Sequence, residues 1–449
     1  MIRRLVVLTF ALAFPASSRA DLLLHVPSDY ETIQSAITAA EGGDEIIVAQ
    51  GTYNESIDFL GKSITVRSLD PSDPDIVATT VIDGSGIGAA VVTFVTAEGD
   101  GAVLEGFTIT GGSGNPSAFG PEAPLGGGVY VDHSSPLIRH CVFVLNSAAA
   151  GGGLFLNGGQ ALVDRCIFME NEAWGASPLE VADGGGAIAT DFANAIIVDC
   201  LIHNNHSTME GGGISILGDF NTRVLNCLIF DNVGLKGGGL AVYGGFPEFL
   251  NCTIVSNYSV ANSTTIGDGV DNTGGWGEPK LTNCVISNNH SIYELHEVFE
   301  GSGVETVIEY SFVEGGWSGA GSQNRGGEDG EVPGFVDPGV GDFRLATDSI
   351  CIDSGDSDVL LNGDDTDLDG NPREVGCTID MGAYEYQVGQ CEEPSTDLNA
   401  DGSVNVLDLL QLLSAWGACP EPPAECPADF NGSGAVDVLD LLTLLADWG

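Results

Sequence analysis

The sequence predicts a solenoid, a right-handed parallel β-helix of stacked coils, followed by a small α-helical EF-hand-like module. Three observations predict the solenoid. Glycine triplets recur at Gly126-Gly127-Gly128, Gly151-Gly152-Gly153, Gly184-Gly185-Gly186, Gly211-Gly212-Gly213 and Gly237-Gly238-Gly239, in steps of 25, 33, 27 and 26 residues. A cysteine follows each opening after 15 or 16 residues. An asparagine stands five residues beyond each cysteine. A fixed period of this size marks a repeat architecture, and 449 residues exceed what one ordinary core needs.

Each coil reads as three short strands. The first follows the glycines, as in Val129-Tyr130-Val131, Leu154-Phe155-Leu156, Ile214-Ser215-Ile216 and Leu240-Ala241-Val242. The second centres on Ile138, Val163, Ile197, Val224, Phe249 and Leu281, three residues before the cysteines. The third starts at Cys141, Cys166, Cys200, Cys227, Cys252 and Cys284, and its next inward residues are Phe143, Phe168, Ile202, Ile229, Ile254 and Ile286. An odd offset between the second and third strands implies a bend, where Asn226, Asn251 and Asn283 sit in three coils. No coil buries its inner face alone, so each relies on its neighbours. Asn146, Asn171, Asn205, Asn232, Asn257 and Asn289 are expected to form an amide ladder. Rungs about 4.8 Å apart lie within disulfide reach, but a buried stack of small apolar thiols is the preferred reading of the six cysteines. Cys351, Cys377, Cys391, Cys419 and Cys426 are better candidates for bonds.

The chain carries 64 acidic and 13 basic residues, a net charge of -51. Such a field repels nucleic acid and anionic membrane surfaces and attracts divalent cations. A polyanionic glycan would need bridging calcium or a local basic patch. Arg3 and Arg4, the apolar run Leu5 to Ala13 and the small-residue site Ser18-Arg19-Ala20 form a signal-peptide layout over residues 1–20. The protein is therefore expected to be secreted or displayed on the cell surface, with no membrane span.

The repeats resemble the pectate-lyase-like right-handed parallel β-helix superfamily over residues 21–332. The segment from Val26 to Ile37 resembles the cap helix of such proteins, with Ile33, Ala36, Ile37 and Ala40 against the first coil. The resemblance implies a carbohydrate-related role, and each kind of relative has its own signature. The Gly-His-Gly tripeptide of polygalacturonase-like hydrolases is absent, as are the Gln-Asp and paired-aspartate motifs of pectin methylesterases. Lyases use a Lys or Arg base beside calcium carboxylates. Arg139 and Arg165 are expected at matching positions just before their cysteines, stacked on one outer edge, with Asp199 in the same place one coil on. Asp164, Glu170, His203 and His206 lie nearby in sequence. Arg139, Arg165, Asp199 and His203 are the catalytic candidates; outward charges on a solenoid are more often simply solvated. Insertions at Glu172 to Asp183 and Tyr258 to Trp276 are expected to wall this edge, with Trp174 or Trp276 stacking a sugar ring.

Residues 333–388, with Phe335-Val336-Asp337-Pro338 and Asp380-Met381-Gly382-Ala383-Tyr384-Glu385-Tyr386, resemble a choice-of-anchor region expected to close the helix end. Asp365, Asp367 and Asp369 read as a solvated acidic turn. A linker spans residues 389–396. Beyond it, in residues 397–449, two EF-hand-like loops carry oxygen ligands at the first, third, fifth, seventh, ninth and twelfth positions. These are Asp397, Asn399, Asp401, Ser403, Asn405 and Asp408, then Asp429, Asn431, Ser433, Ala435, Asp437 and Asp440, with Ser403 and Ala435 offering carbonyls. Each loop runs into an amphipathic helix, Val406 to Trp416 and Val438 to Trp448. Two such units 32 residues apart resemble a type I dockerin, which implies calcium and a cohesin-like or other surface partner. Val406-Leu407 and Val438-Leu439 stand where dockerins usually carry small hydroxyl residues for cohesin recognition. Two functions follow: a secreted protein that binds or processes polysaccharide, or a non-catalytic structural or adhesive surface protein.

Overall fold

The computed structural model describes residues 21–117, 120–175, 184–219, 221–261, 267–291, 297–327, 330–359, 366–388, 396, 398–399, 403–419, 426–430, 433–446 and 448. The signal-peptide reading, Cys391, Asp365 and nearly all of the linker lie outside them. Among the described residues the body is a parallel β-helix. The first strands form a nine-stranded sheet, the second strands an eleven-stranded sheet and the third strands a ten-stranded sheet. Pairing between successive coils is parallel and in register, as in Val129↔Leu154, Ile138↔Val163 and Phe143↔Phe168. A fourth ladder of six two-residue strands runs from Ser147–Ala148 to His290–Ser291. It is an addition to the three strands expected.

The third coil opens one residue later than its triplet suggests. Gly184 bridges Ala150 and Glu210, so Gly185 is the counterpart of Gly151 and Gly211. Cys200 then falls fifteen residues after its opening, as in the first, second and fifth coils. Glycine is needed here for close approach: a Cβ on Gly127 would lie 2.2 Å from the carbonyl oxygen of Gly152 on the next coil.

Each coil turns at single residues with positive φ. Before the third strand these are His140, Arg165, Asp199, Asn226, Asn251, Asn283 and Tyr310; after it they include Leu145, Glu170, Asn204, Asp231, Ser256 and Asn288. Asparagine tolerates this left-handed region better than other L-residues, which explains its use at the expected bend. Immediately after the second turn the ladder asparagines point inward and are buried. Asn146 Nδ2 donates to Asn171 Oδ1 at 3.1 Å, and the series continues to Asn205, Asn232, Asn257 and Asn289 at 2.9–3.0 Å. Each amide also donates to a backbone carbonyl on the third strand of the preceding coil, as Asn171 does to Phe143 at 2.9 Å. The six ladder cysteines are free, buried thiols, as expected. Burying each large apolar core side chain contributes about 1.5–3 kcal/mol.

The cap helix spans Ile33–Ala39 and buries Ile33, Ala36 and Ile37, with Ala40 just beyond. Both ends are satisfied from the coils. Glu55 accepts from the Ile33 and Gln34 amides at 2.9 Å. Lys62 Nζ donates to the carbonyls of Ile37, Thr38 and Ala40 at 2.6, 2.9 and 2.8 Å.

The segment after Pro333 lies along the side of the stack, rather than across its end as expected. Phe343, Leu345, Cys351, Met381 and Ala383 pack on Leu228, Val255, Val285 and Phe312, on the outer face of the third sheet. Cys351 is therefore a buried free thiol, not the disulfide partner expected, and burial pushes it up to about 12. Cys377 is disulfide-bonded, and Cys419 is bonded to Cys426. Asp367 is buried, not solvated; it accepts the amides of Asn371 at 2.7 Å and Glu385 at 3.1 Å. Arg373 is the largest fully buried side chain, 1% exposed. It donates to the Gly382 carbonyl at 2.8 Å and to Asn226 Oδ1 at 3.0 Å, beside Glu385 at 3.9 Å. This guanidinium ties the segment to a coil bend.

The last module has its own small core of Leu412, Ala428, Val436 and Leu444. Its helices span Val406–Ser414 and Val438–Ala446, each ending before the tryptophan that the sequence pattern included.

Candidate functional site

The second sheet carries the charged outer face. Register places Arg67, Glu105, Arg139 and Asp164 in one column. Arg223, Glu248 and Lys280 form another. Opposite charges facing each other on adjacent strands stabilise a sheet. Arg139 contacts Glu105 at 2.9 Å, Arg223 contacts Glu248 at 3.0 Å and Lys280 contacts Glu309 at 2.7 Å. Each of these cations has a carboxylate partner, so the face is locally neutral despite the net charge.

The structure corrects the expected edge. Arg139 and Arg165 do not occupy matching positions: Arg139 pairs with Asp164, while Arg165 is the counterpart of His140 and Asp199 at the positive-φ bend. A one-residue offset on a strand changes which way a side chain faces. Arg165 bridges Asp164 at 3.4 Å and Asp199 at 3.1 Å. Burial pushes Asp199 up to about 6, against the opposing pull of Asn226 and Arg165. His203 stands apart on the third sheet, stacked on Phe230 with ring centroids 4.9 Å apart. Burial lowers its pKa. Phe230 in turn packs on Phe343 of the side segment. The four candidates are thus divided between two sheets and a bend. Of the two insertions expected as walls, residues 176–183 and 262–266 lie outside the described residues.

At the other edge of the second sheet, where the first strand turns into it, are exposed aromatic rings. Phe192, Phe246 and Trp276 are 55%, 47% and 46% exposed. Phe246 and Trp276 meet edge to face with centroids 6.0 Å apart. Trp276 was expected as a stacking residue; Phe192, Phe246, Arg223, Glu248 and Lys280 were not singled out from sequence. Trp174, the alternative, is 40% exposed and follows the fourth ladder.

In the last module, Asp397, Asp401 and Asn431 lie outside the described residues. Among the remaining ligands, the two closing carboxylates are tied to the starts of their loops. Asp408, fully buried, accepts the amides of Asn405 at 2.8 Å and Asn399 at 3.1 Å. These backbone hydrogen bonds, the one from Asn405 first, hold its carboxyl below the ordinary value. Asp440 repeats the arrangement with Asp437 and Phe430, both at 2.8 Å. Asp429 accepts from Ser433 at 3.0 Å and Gly434 at 2.8 Å. Oxygen donors drawn together from both ends of each loop fit calcium, a hard cation that takes six to eight oxygens. Asn399, Ser403, Asn405 and Asp408 would hold one ion, and Asp429, Ser433, Ala435, Asp437 and Asp440 the other. The neighbouring Cys419 and Cys426 spend their sulfurs on each other and offer no thiolate.

Residues 179–307 match the family model described as a right-handed beta helix region, and residues 395–446 match the dockerin type I domain. The fold is a right-handed parallel β-helix, followed by a segment that resembles a type I dockerin. Among solved structures, it is similar to pectate lyase Pel9A, at 16% identity and a TM-score of 0.44, covering 81% of this chain and 96% of that one. Pectin methylesterase from carrot gives 14% identity and a TM-score of 0.35, covering 65% and 89%. Alginate lyase from Paenibacillus sp. gives 15% and 0.32, covering 63% and 99%. Likeness at this level carries no inference about activity. No curated protein matches the chain.

Proposed function

We propose that this is an exported protein whose β-helix binds extracellular polysaccharide and whose calcium-loaded dockerin attaches it to a cohesin-like or other surface partner. The observation that carries the reading is the duplicated module at residues 395–446, whose match is to a tethering domain. Bound calcium would neutralise the converging carboxylates and fix both loops against their helices. Leu407, Leu410 and Leu413 on one helix and Leu439, Leu442 and Leu445 on the other are about half exposed, so the attaching surface is apolar and repeated. Binding is favoured over catalysis because Arg139 and Arg165 are held in ion pairs. The alternating charge columns favour a second reading, a stiff non-catalytic spacer.

A screen of the purified full chain with calcium on uronate and neutral glycans separates these readings. Retention, with or without release of unsaturated products or reducing ends, supports polysaccharide engagement. No retention and no release on any glycan leaves the spacer.

A further inference from the structure

Counting back eight residues from each ladder cysteine gives His133, Gly158, Phe192, Gly244 and Trp276, and in the fourth coil the structure supplies Gly218 one residue earlier. The preceding residues Asp132, Asn157, Asp191, Leu217 and Tyr243 pair in register. These turn residues therefore form a column parallel to the helix axis over five coils, and Trp276 lies against Gly244 at its end, across a shift in register. Rings and glycines share it in a particular way. His133 leans over Gly158, where a Cβ would lie 3.3 Å from the imidazole; Phe192 leans over Gly218, where a Cβ would lie 2.7 Å from the phenyl ring. The Trp276 indole Nε1 lies 3.5 Å from the Cβ position of Gly244. Each ring is accommodated by a missing side chain on a neighbouring coil and remains open to solvent.

Phe192 carries a conformational cost as well. Its φ is +49°, a region that costs an L-residue about 1–2 kcal/mol, and glycine serves the same turn in three other coils. An exposed phenyl ring held there contributes no core packing that would account for it. Polar groups border the strip. Asn221 Nδ2 donates to Asn194 Oδ1 at 3.3 Å, and Asp191 Oδ1 is enclosed without a hydrogen-bond partner among the described residues.

We propose that His133, Phe192 and Trp276, with Phe246 beside Trp276, form a platform for an uncharged, extended glycan lying along the helix axis. From the His133 rung to the Trp276 rung is about 24 Å at 4.8 Å per coil. The C–H faces of pyranose rings stack on aromatic faces, and sugar hydroxyls donate to the adjoining amide and carboxylate oxygens. The charge of the protein selects the neutral class: the whole chain is at -51, and Arg223 and Lys280 beside the strip are neutralised by Glu248 and Glu309. A polyuronate would meet repulsion without compensation.

This inference rests on the reading that the β-helix engages polysaccharide, and the test separates the two. The full chain is run by affinity electrophoresis through hydroxyethylcellulose, glucomannan, polygalacturonate and alginate, beside Phe192→Gly and Phe192→Gly/Trp276→Ala. Glycine relieves the positive φ, so Phe192→Gly is expected to melt no lower than the unsubstituted chain. The expected result is retardation by a neutral glycan, weakened about tenfold in the double variant at unchanged melting. Retardation unchanged in a folded double variant, or retardation by polyuronates alone, overturns the platform and leaves polysaccharide binding intact. No retardation by any glycan overturns both.

Discussion

Asn257 Nδ2 donates to Asn289 Oδ1 at 2.9 Å, and Asn289 Nδ2 passes the same bond to Glu297 at 2.6 Å. The amide ladder thus ends on a carboxyl group rather than in solvent. Interior members are satisfied on both sides, so removing one orphans groups on its neighbours. Asn232→Ala leaves the Asn205 backbone amide without its acceptor and the Ile202 carbonyl without its donor. Unmet buried groups cost about 1–3 kcal/mol each. We expect a loss of about 3 kcal/mol in chemical denaturation, and a loss under about 1 kcal/mol would contradict the ladder's role.

The ladder's end makes stability depend on pH. Burial pushes Glu297 up to about 8, and burial likewise pushes Glu385 up to about 8. Both sit above the unfolded value of about 4.3, so between these limits the folded state binds more protons than the unfolded chain. Stability is therefore greatest at the acid end and falls as pH rises toward 8, levelling off above it. Thermal midpoints from pH 5 to 8.5 in chelator should decline, and Glu297→Gln should flatten the decline. A midpoint that rises over this range would refute the assignment.

Arg373 holds the side segment to the coils. Arg373→Ala leaves the Gly382 carbonyl and Asn226 Oδ1 without the guanidinium donor, and unmet buried groups cost about 1–3 kcal/mol each. Hydrogen exchange at Asp380 to Tyr386 should accelerate sharply, while amides of the earlier coils stay protected. Equal protection in the variant would show that apolar contacts of Phe343 and Met381 suffice.

Calcium should order the dockerin and not the β-helix. In the full chain, chelation is expected to raise exchange in Val406–Ser414 and Val438–Ala446 and to leave the asparagine ladder unchanged. The second loop has Ser433 where the first has Asp401, but Asp437 where the first has Asn405, so each loop offers three carboxylates and the two sites should bind with similar affinity. Titration by calorimetry should give two calcium ions per chain, and Asp408→Ala should reduce this to one. Two ions bound in Asp408→Ala would contradict the assignment.

Much of the fold was legible because a repeating coil writes its chemistry at fixed intervals. Glycine where backbones meet, cysteine under the bend and asparagine in the ladder are each demanded by one environment repeated. The errors arose where two frames fit. Gly184-Gly185-Gly186 followed by Ala187 allows either opening, and only pairing with Glu210 selects Gly185. Arg139 and Arg165 both precede a cysteine, yet the one-residue difference puts one on a strand and the other at a turn. Two-residue strands such as His206–Ser207 are too short to carry a pattern. The aromatic column was readable by counting from the cysteines, but its rings occur on only some coils. The Arg373 to Asn226 contact, 147 residues apart, has no periodic signature at all.

The most direct test of the whole account is cosedimentation of the full chain with an insoluble neutral polysaccharide, with calcium and with chelator. If the β-helix holds the glycan and the dockerin serves attachment, the bound fraction is the same in both conditions while hydrogen exchange shows the calcium loops released. Loss of cosedimentation on chelation would place glycan binding in the calcium module and contradict the division of labour proposed between the two parts of the chain.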